Sequence, residues 1–232
     1  MAVIHPAEGI HLFTGIIQDI GKIQKIERRY QGLQLDIATH LDLSALKLGD
    51  SVAVDGACLT VIRKTPYTFS AEIGKETLER TTLSRAKEAQ AVNLETALKM
   101  SDFLSGHFVT GHVDGTGEII GMTSEGTSFR YRFRTPAAIA RYLIGKGSIA
   151  VDGISLTVAE CQGEEFSVSV LPYTVNQTTL SRKRVGDPVN MEVDMIAKYV
   201  EKFVHSGRKS ETEDSRISLS FLAEHGFVKK IG

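Results

Sequence analysis

Val54-Asp55-Gly56-Ala57-Cys58-Leu59-Thr60-Val61 returns 97 positions later as Val151-Asp152-Gly153-Ile154-Ser155-Leu156-Thr157-Val158. The register holds well beyond these eight residues. At the same offset Phe69 meets Phe166, Thr77 meets Thr174, Thr81-Thr82-Leu83-Ser84 meets Thr178-Thr179-Leu180-Ser181, and Val92-Asn93-Leu94-Glu95 meets Val189-Asn190-Met191-Glu192. Near the start of each copy the offset is 96, so that Thr14-Gly15 and Gly21 face Thr110-Gly111 and Gly117. One single-residue length change between Gly21 and Val54 accounts for the difference. A repeat this long implies two similar folded units built on one plan. Repetition for stability alone would leave the same trace. The unequal atom argues for more: Cys58 carries a thiol where Ser155 carries a hydroxyl.

Each half reads as short strands separated by turns. Apolar and polar residues alternate through Lys22 to Glu27, Leu33 to Thr39, Phe129 to Arg134 and Phe166 to Val170. A period of two, with turn residues every 8–12 positions, favours a small all-β barrel or sandwich over a helical domain. Asp55-Gly56 and Asp152-Gly153 supply tight hairpin turns. About six strands per half point to a closed barrel, since closure removes exposed strand edges. Helices are few. Thr135 as cap and Pro136 in the first turn predict a short one over Ala137 to Leu143, with Leu41 to Leu46 as its counterpart. Ile196, Tyr199, Val200, Phe203 and Val204 form one apolar stripe of a longer helix, which caps its own barrel or packs on copies of itself. Residues 205–216 read as a polar linker. Ser218 or Ser220 caps a last short helix stopped by Gly226. The expected units are 12–104, 105–194, and a helix and tail over 195–232.

Composition narrows the function classes. A chain of 232 residues with 42% hydrophobic content holds two cores of ordinary size. A net charge of −1 gives no electrostatic reason to expect nucleic acid or an anionic membrane as partner. No apolar run approaches the ~20 residues needed to span a bilayer. Met1 to Leu12 lacks the basic and long apolar regions of a secretory signal and reads as a short extension. The two cysteines, Cys58 and Cys161, occupy non-equivalent places in the repeat. The expectation is a reduced, cytoplasmic chain.

The residues able to carry chemistry cluster in a few segments. Ser105 to Gly115 joins the halves and holds His107 and His112. Five residues apart, these two lie on opposite faces of a strand, which disfavours a shared metal; no metal site is expected. His107 reads as a histidine tying down a turn, whereas His112, beside Gly111, is open to a ligand-facing or acid–base role. Cys58 and Ser155 each follow an Asp-Gly turn and precede Leu-Thr, so either can face a bound molecule. No Gly-x-Ser-x-Gly elbow surrounds Ser155, which weakens a hydrolase triad. Gly115-x-Gly117 lacks the third glycine and the strand–turn–helix setting of a dinucleotide site. Lys146, between Gly145 and Gly147, meets a ligand or is solvated in its turn.

Assembled, these motifs resemble the riboflavin synthase family. The carrying segments are Phe13 to Ile17, Asp55 to Val61, Ser105 to Gly115, Lys146 to Thr157 and Val189 to Asp194, and the resemblance covers about residues 12–204. It implies two six-stranded Greek-key barrels and a C-terminal helix that helps assemble a homotrimer. It further implies dismutation of two molecules of 6,7-dimethyl-8-ribityllumazine. One gives a four-carbon unit to the other, yielding riboflavin and 5-amino-6-ribitylaminouracil without a cofactor. Each barrel would bind one lumazine, and the productive site would form between barrels of neighbouring subunits. Association with lumazine synthase, which makes the substrate, is left open.

By the same resemblance, Cys58 lies where a nucleophile adds to the acceptor, Ser155 and Thr157 lie near the donor ring, and His112 is the acid–base histidine. Which barrel takes which role stays open. Phe13, Ser51, Lys146 and Asp194 would affect turnover or order the site. Substrate contacts in the first half would come from Gly15, Ile16 and Ile17, from Cys58, Leu59 and Thr60, and from Glu72, Ile73, Gly74, Lys75, Glu76 and Thr77. In the second half they would come from Gly111, His112 and Val113, from Ser155, Leu156 and Thr157, and from Ser169, Val170, Leu171, Pro172, Tyr173 and Thr174, with Lys146. The alternative is a lumazine- or flavin-binding protein on the same barrels without catalysis. Retention of Leu-Thr and its polar neighbours in both copies favours the enzyme.

Overall fold

The computed structural model describes residues 12–30, 32–213 and 225, with backbone alone over 206–213. The first half contributes β1 (Asp19–Arg29), β2 (Gly32–Ala38), β3 (Ser51–Val54), β4 (Ala57–Lys64), β5 (Thr68–Gly74), α1 (Lys75–Arg80) and β6 (Ala91–Thr96). The second repeats the series as β7 (Gly115–Glu125), β8 (Ser128–Arg134), α2 (Ala137–Ala140), β9 (Ser148–Val151), β10 (Ile154–Gln162), β11 (Glu165–Val170), α3 (Pro172–Asn176) and β12 (Pro188–Val193). Each set closes into a six-stranded antiparallel barrel. The strand order is β1-β2-β5-β4-β3-β6 in one and β7-β8-β11-β10-β9-β12 in the other. The internal repeat is therefore a repeat of topology.

Period-two patterning explains both cores. Ile23, Leu35, Val52, Phe69 and Leu94 fill the first barrel, and Ile119, Tyr131, Phe133, Ile149 and Phe166 fill the second. Full burial of side chains this size contributes about 1.5–3 kcal/mol each. Phe133 and Phe166 stack with ring centres 5.0 Å apart. Bulges fall at matching places, between Ile23 and Lys25 and between Ile119 and Gly121, and again between Val61 and Arg63 and between Val158 and Glu160. They supply the local curvature that closure demands.

The Asp-Gly turns form two-residue hairpins, with positive φ at Asp55 (44°), Gly56 (80°), Asp152 (45°) and Gly153 (77°), the conformation such loops require. They also meet tip to tip. A Cβ built on Gly56 would lie 2.7 Å from the Gly153 amide nitrogen.

Several sequence expectations need correction. Leu41 to Leu46 is not helical. Thr39 Oγ1 accepts from the Leu41 amide, Asp42 Oδ1 accepts from Ser44, and Lys64 Nζ donates to Leu43 O; these side chains satisfy backbone groups that a helix would have paired. The helix after Thr135 starts at Ala137, with Pro136 rather than Thr135 as its cap, and ends at Ala140, the chain continuing in turns to Leu143. Helices α1 and α3, and the short 3-10 turns Thr82–Arg85 and Thr179–Arg182, had no periodic signal. The proposed linker is helical through Glu213, as part of α4 (Met195–Glu213). The final short helix falls outside the described residues. Among the described residues, those from Ile196 belong to a unit separate from the barrels. In it Ile196, Tyr199, Val200, Phe203 and Val204 are each more than half exposed along one helix. Among the described residues no helix is long and apolar enough to cross a membrane.

Candidate active site

Strand pleat decides what Cys58 and Ser155 face. On β4, Ala57, Leu59 and Val61 enter the core, while Cys58 and Thr60 lie on the opposite side of the strand. On β10, Ile154, Leu156 and Val158 enter the core and Ser155 and Thr157 lie outside it. Each barrel thus turns two polar side chains outward at repeat-equivalent positions, with Leu59 or Leu156 anchoring the strand between them.

What covers those positions comes from the other half of the chain. The Ser155 amide donates to Gly15 O at 2.7 Å, and the Cys58 amide donates to Gly111 O at 2.9 Å. Ile17 packs on the core of the second barrel, and Val113 is buried in the core of the first. The two entering segments cross beside one another, where Phe13 and Val109 exchange backbone hydrogen bonds of 2.7 and 3.1 Å. Sequence position groups Gly15 to Ile17 with the first half and Gly111 to Val113 with the second. In space the Cys58 position is flanked by Gly111, and the Ser155 position by Gly15. Both glycines hold left-handed φ, and a Cβ would lie 2.7 Å from Ser155 Cβ at Gly15 and 2.4 Å from Cys58 Cβ at Gly111. Only glycine allows that approach.

The histidines sort differently from the sequence expectation. His107 does more than hold a turn: its amide donates to Thr14 O, and its ring Nδ1 shares a 2.7 Å hydrogen bond with Ser155 Oγ, the tautomer setting the donor. Its Nε2 is buried without a protein partner. Burial pushes its pKa down, opposed by the negative charge of Asp194. Its neutral form is therefore the resident one near pH 7, able to accept or relay a proton. His112 is exposed, next to the Gly111 that contacts Cys58. One histidine thus accompanies each unequal atom.

Cys58 is partly buried. Burial pushes its thiol pKa up, the Ser51 hydroxyl pulls it down, and the Glu192 carboxylate raises it again. A protonated thiol is a poor nucleophile, so Cys58 suits steering of a bound molecule or water. Lys146 is exposed and holds φ of +68°, with its amide donating to Val158 O at 2.7 Å. The repeat-equivalent residue is Gly49 (φ +92°), whose amide donates to Val61 O at 2.8 Å. Phe13 is fully buried with Ala53, Val109 and Ala150 at the barrel junction. Glu72, Gly74, Lys75 and Glu76, like Ser169, Leu171, Pro172 and Tyr173, are mainly exposed at the ends of β5 and β11, with Ile73 and Val170 turned into the cores. Thr77 and Thr174 anchor α1 and α3, their carbonyls accepting from Thr81 and Thr178 hydroxyls.

Sequence reasoning missed the polar junction behind these surfaces. Asn93 Nδ2 donates to Asp152 O and Asn190 Nδ2 to Asp55 O, at 2.9 and 2.7 Å. The amides of Thr82 and Thr179 donate to Asn190 and Asn93 Oδ1. Lys183 Nζ lies 2.8 Å from Asp152 Oδ2; the position equivalent to Lys183 in the first half is Ala86. Burial, and then the neighbouring Asp152 charge, push the Asp55 pKa up to about 8. The repeat equivalence of these residues was the available signal.

The lumazine binding domain family matches twice, over residues 14–97 and 110–194. The chain is thus a tandem lumazine-binding-domain protein. Riboflavin synthase of Actinobacillus pleuropneumoniae is 42% identical over 216 residues, covering 93% of this chain and all of that protein. Riboflavin synthase of Chlamydia pneumoniae is 44% identical over 81% of this chain and 92% of its own length. A solved structure of LumP with 6,7-dimethyl-8-(1'-D-ribityl) lumazine superposes with a TM-score of 0.71 at 24% identity, covering 78% of this chain and 98% of that one; the likeness is one of fold. The chain belongs to the riboflavin synthase family.

Proposed function

We propose that the chain converts two molecules of 6,7-dimethyl-8-ribityllumazine into riboflavin and 5-amino-6-ribitylaminouracil by transfer of a four-carbon unit. The observation that carries this reading is the pair of repeat-equivalent outward surfaces, alike in backbone and unequal in one atom, each flanked by a glycine from the other half of the chain. Like surfaces bind like molecules; the unequal groups treat them differently. The reaction needs a proton removed from the C7 methyl of one ring and attack of the resulting carbanion on the second ring, then a second carbon–carbon bond that closes the new ring while the donor's two carbon–nitrogen bonds to the four-carbon unit break, with proton transfers that release 5-amino-6-ribitylaminouracil. The heterocycle delocalises the carbanion charge, so the protein's contribution is mainly orientation and polarisation.

Cys58 and Thr60 face the ring held on the first barrel, with His112 as acid–base partner. Ser155 and Thr157 face the ring on the second. His107, bonded to Ser155 and influenced by Asp194, extends the set beyond the sequence expectation. Lys146 reaches the polar edge of a ring, while Ser51, Asp194 and Phe13 order the groups around it. The outward placement of both surfaces, with Thr60 and Thr157 exposed beside the partly buried Cys58 and Ser155, supports a site completed by a neighbouring chain. The exposed stripe on α4 supports a homotrimer as the assembly. Two free cysteines fit a cytoplasmic setting.

Mixing the purified chain with 6,7-dimethyl-8-ribityllumazine tests this reading. Growth of riboflavin absorbance, with the pyrimidine product in equal amount, is the expected result. A stable spectrum of bound lumazine would instead identify a binding protein.

A further inference from the structure

Two buried carboxylates set the cover of the two surfaces. Glu95, at the end of β6, accepts from the Thr14 amide at 2.7 Å, the Thr14 hydroxyl at 2.6 Å and the Gly15 amide at 2.9 Å. Glu192, at the end of β12, accepts from the Thr110 amide at 2.7 Å, the Thr110 hydroxyl at 2.7 Å and the Gly111 amide at 2.9 Å. Both are almost wholly buried. Three donors converging on one carboxyl group make a stiff, directional clamp, and at Glu95 these bonds pull against the upward push of burial on its pKa. The clamped residues are those whose next carbonyl or Cα rests on the opposite barrel, Gly15 on Ser155 and Gly111 on Cys58. Beyond each clamp one side chain crosses before the strand re-enters its own barrel, Ile17 packing on the second core and Val113 on the first.

We infer that Glu95 and Glu192 are positioning residues that act across the junction, Glu95 of the first barrel shaping the Ser155 surface and Glu192 of the second shaping the Cys58 surface. The inference rests on the proposed function, which makes those surfaces the ligand sites. A purely structural role predicts that each glutamate matters most for the barrel whose strand carries it. Action across the junction predicts the reverse. No contact between either carboxylate and a ligand is needed, because displacement of the glycine carbonyl transmits the effect. Position matters at this scale: an error of ~1 Å in a reacting pair costs about 100-fold in rate.

The test uses the full chain with Cys161→Ser, so that Cys58 is its one thiol, and riboflavin as the probe. Protection of Cys58 from iodoacetamide reads the first surface. The ring-proton NMR signal of His107 reads the second. Glu192→Gln is expected to weaken protection of Cys58 about tenfold in the riboflavin concentration required, while the His107 titration moves less than about twofold. Glu95→Gln is expected to do the opposite. Thr110→Val and Thr14→Val remove one bond each from the same clamps without changing charge, and should follow the same crossed pattern if a glutamine variant fails to fold. An uncrossed pattern, or equal loss at both surfaces, overturns the inference while leaving the proposed function intact. If riboflavin neither protects Cys58 nor shifts His107 in the chain with both glutamates, the surfaces are not the ligand sites and both readings fall.

Discussion

Lys146 holds a conformation that its repeat partner assigns to glycine. A non-glycine residue in the left-handed region costs on the order of 1 kcal/mol, and Gly49 shows that the turn folds without one. The role proposed for Lys146 at the ligand surface gives this strain a reason. Lys146→Gly should therefore hold or raise the melting temperature while raising KM for the lumazine; a fall in stability with unchanged KM would remove Lys146 from the site. Asp55 offers a second test at this scale. Free aspartate titrates near 3.8, whereas the folded chain holds the Asp55 proton up to about 8. Between these values the folded state carries a proton that the unfolded state has released. Stability should thus fall as pH rises through that window and level off above it. Asp55→Asn should flatten this slope in denaturant midpoints taken at pH 5, 7 and 9. Lys183→Met leaves Asp152 buried without its cation and should cost about 3–5 kcal/mol.

The Asp-Gly hairpins serve as turns and as the contact between barrels. Gly56→Ala meets both a positive φ and a Cβ position 2.7 Å from the Gly153 nitrogen. Gly126, in the β7–β8 turn, has φ of +59° and open space around its Cβ position. Gly56→Ala should cost about 2–3 kcal/mol and Gly126→Ala about 1 kcal/mol, measured by urea unfolding. Equal losses would mean that the tip-to-tip contact contributes little. The hairpins were legible beforehand because Asp-Gly between alternating strands is a local signal with one geometric solution. The helices α1 and α3 were not, since six and five residues are too few to establish a period. Leu41 to Leu46 failed in the opposite direction: its apolar spacing suits a helix, but Thr39, Asp42 and Lys64 occupy the backbone groups that a helix requires.

At the scale of the whole molecule, both proposed ligand surfaces lie on the outside of closed barrels, and α4 carries an exposed apolar stripe. Exposed apolar residues on one helical face stabilise self-association when they are covered. Tyr199→Glu with Phe203→Glu should lower the mass measured by sedimentation and lower turnover per chain together. A smaller assembly with full turnover would show that the site needs no neighbour.

The amino-acid order by itself determined the duplicated barrels, the hairpin turns, the core positions and the unequal pair Cys58 and Ser155, because each is written in local alternation or in the repeat register. Only the tertiary structure decided that Gly15 serves the surface of Ser155, 140 residues away, that Gly111 serves Cys58, and that His107 rather than His112 touches Ser155. These follow from the crossing of two entering segments between barrels. A crossing of that kind leaves every local pattern unchanged, and so it has no trace in periodicity or spacing.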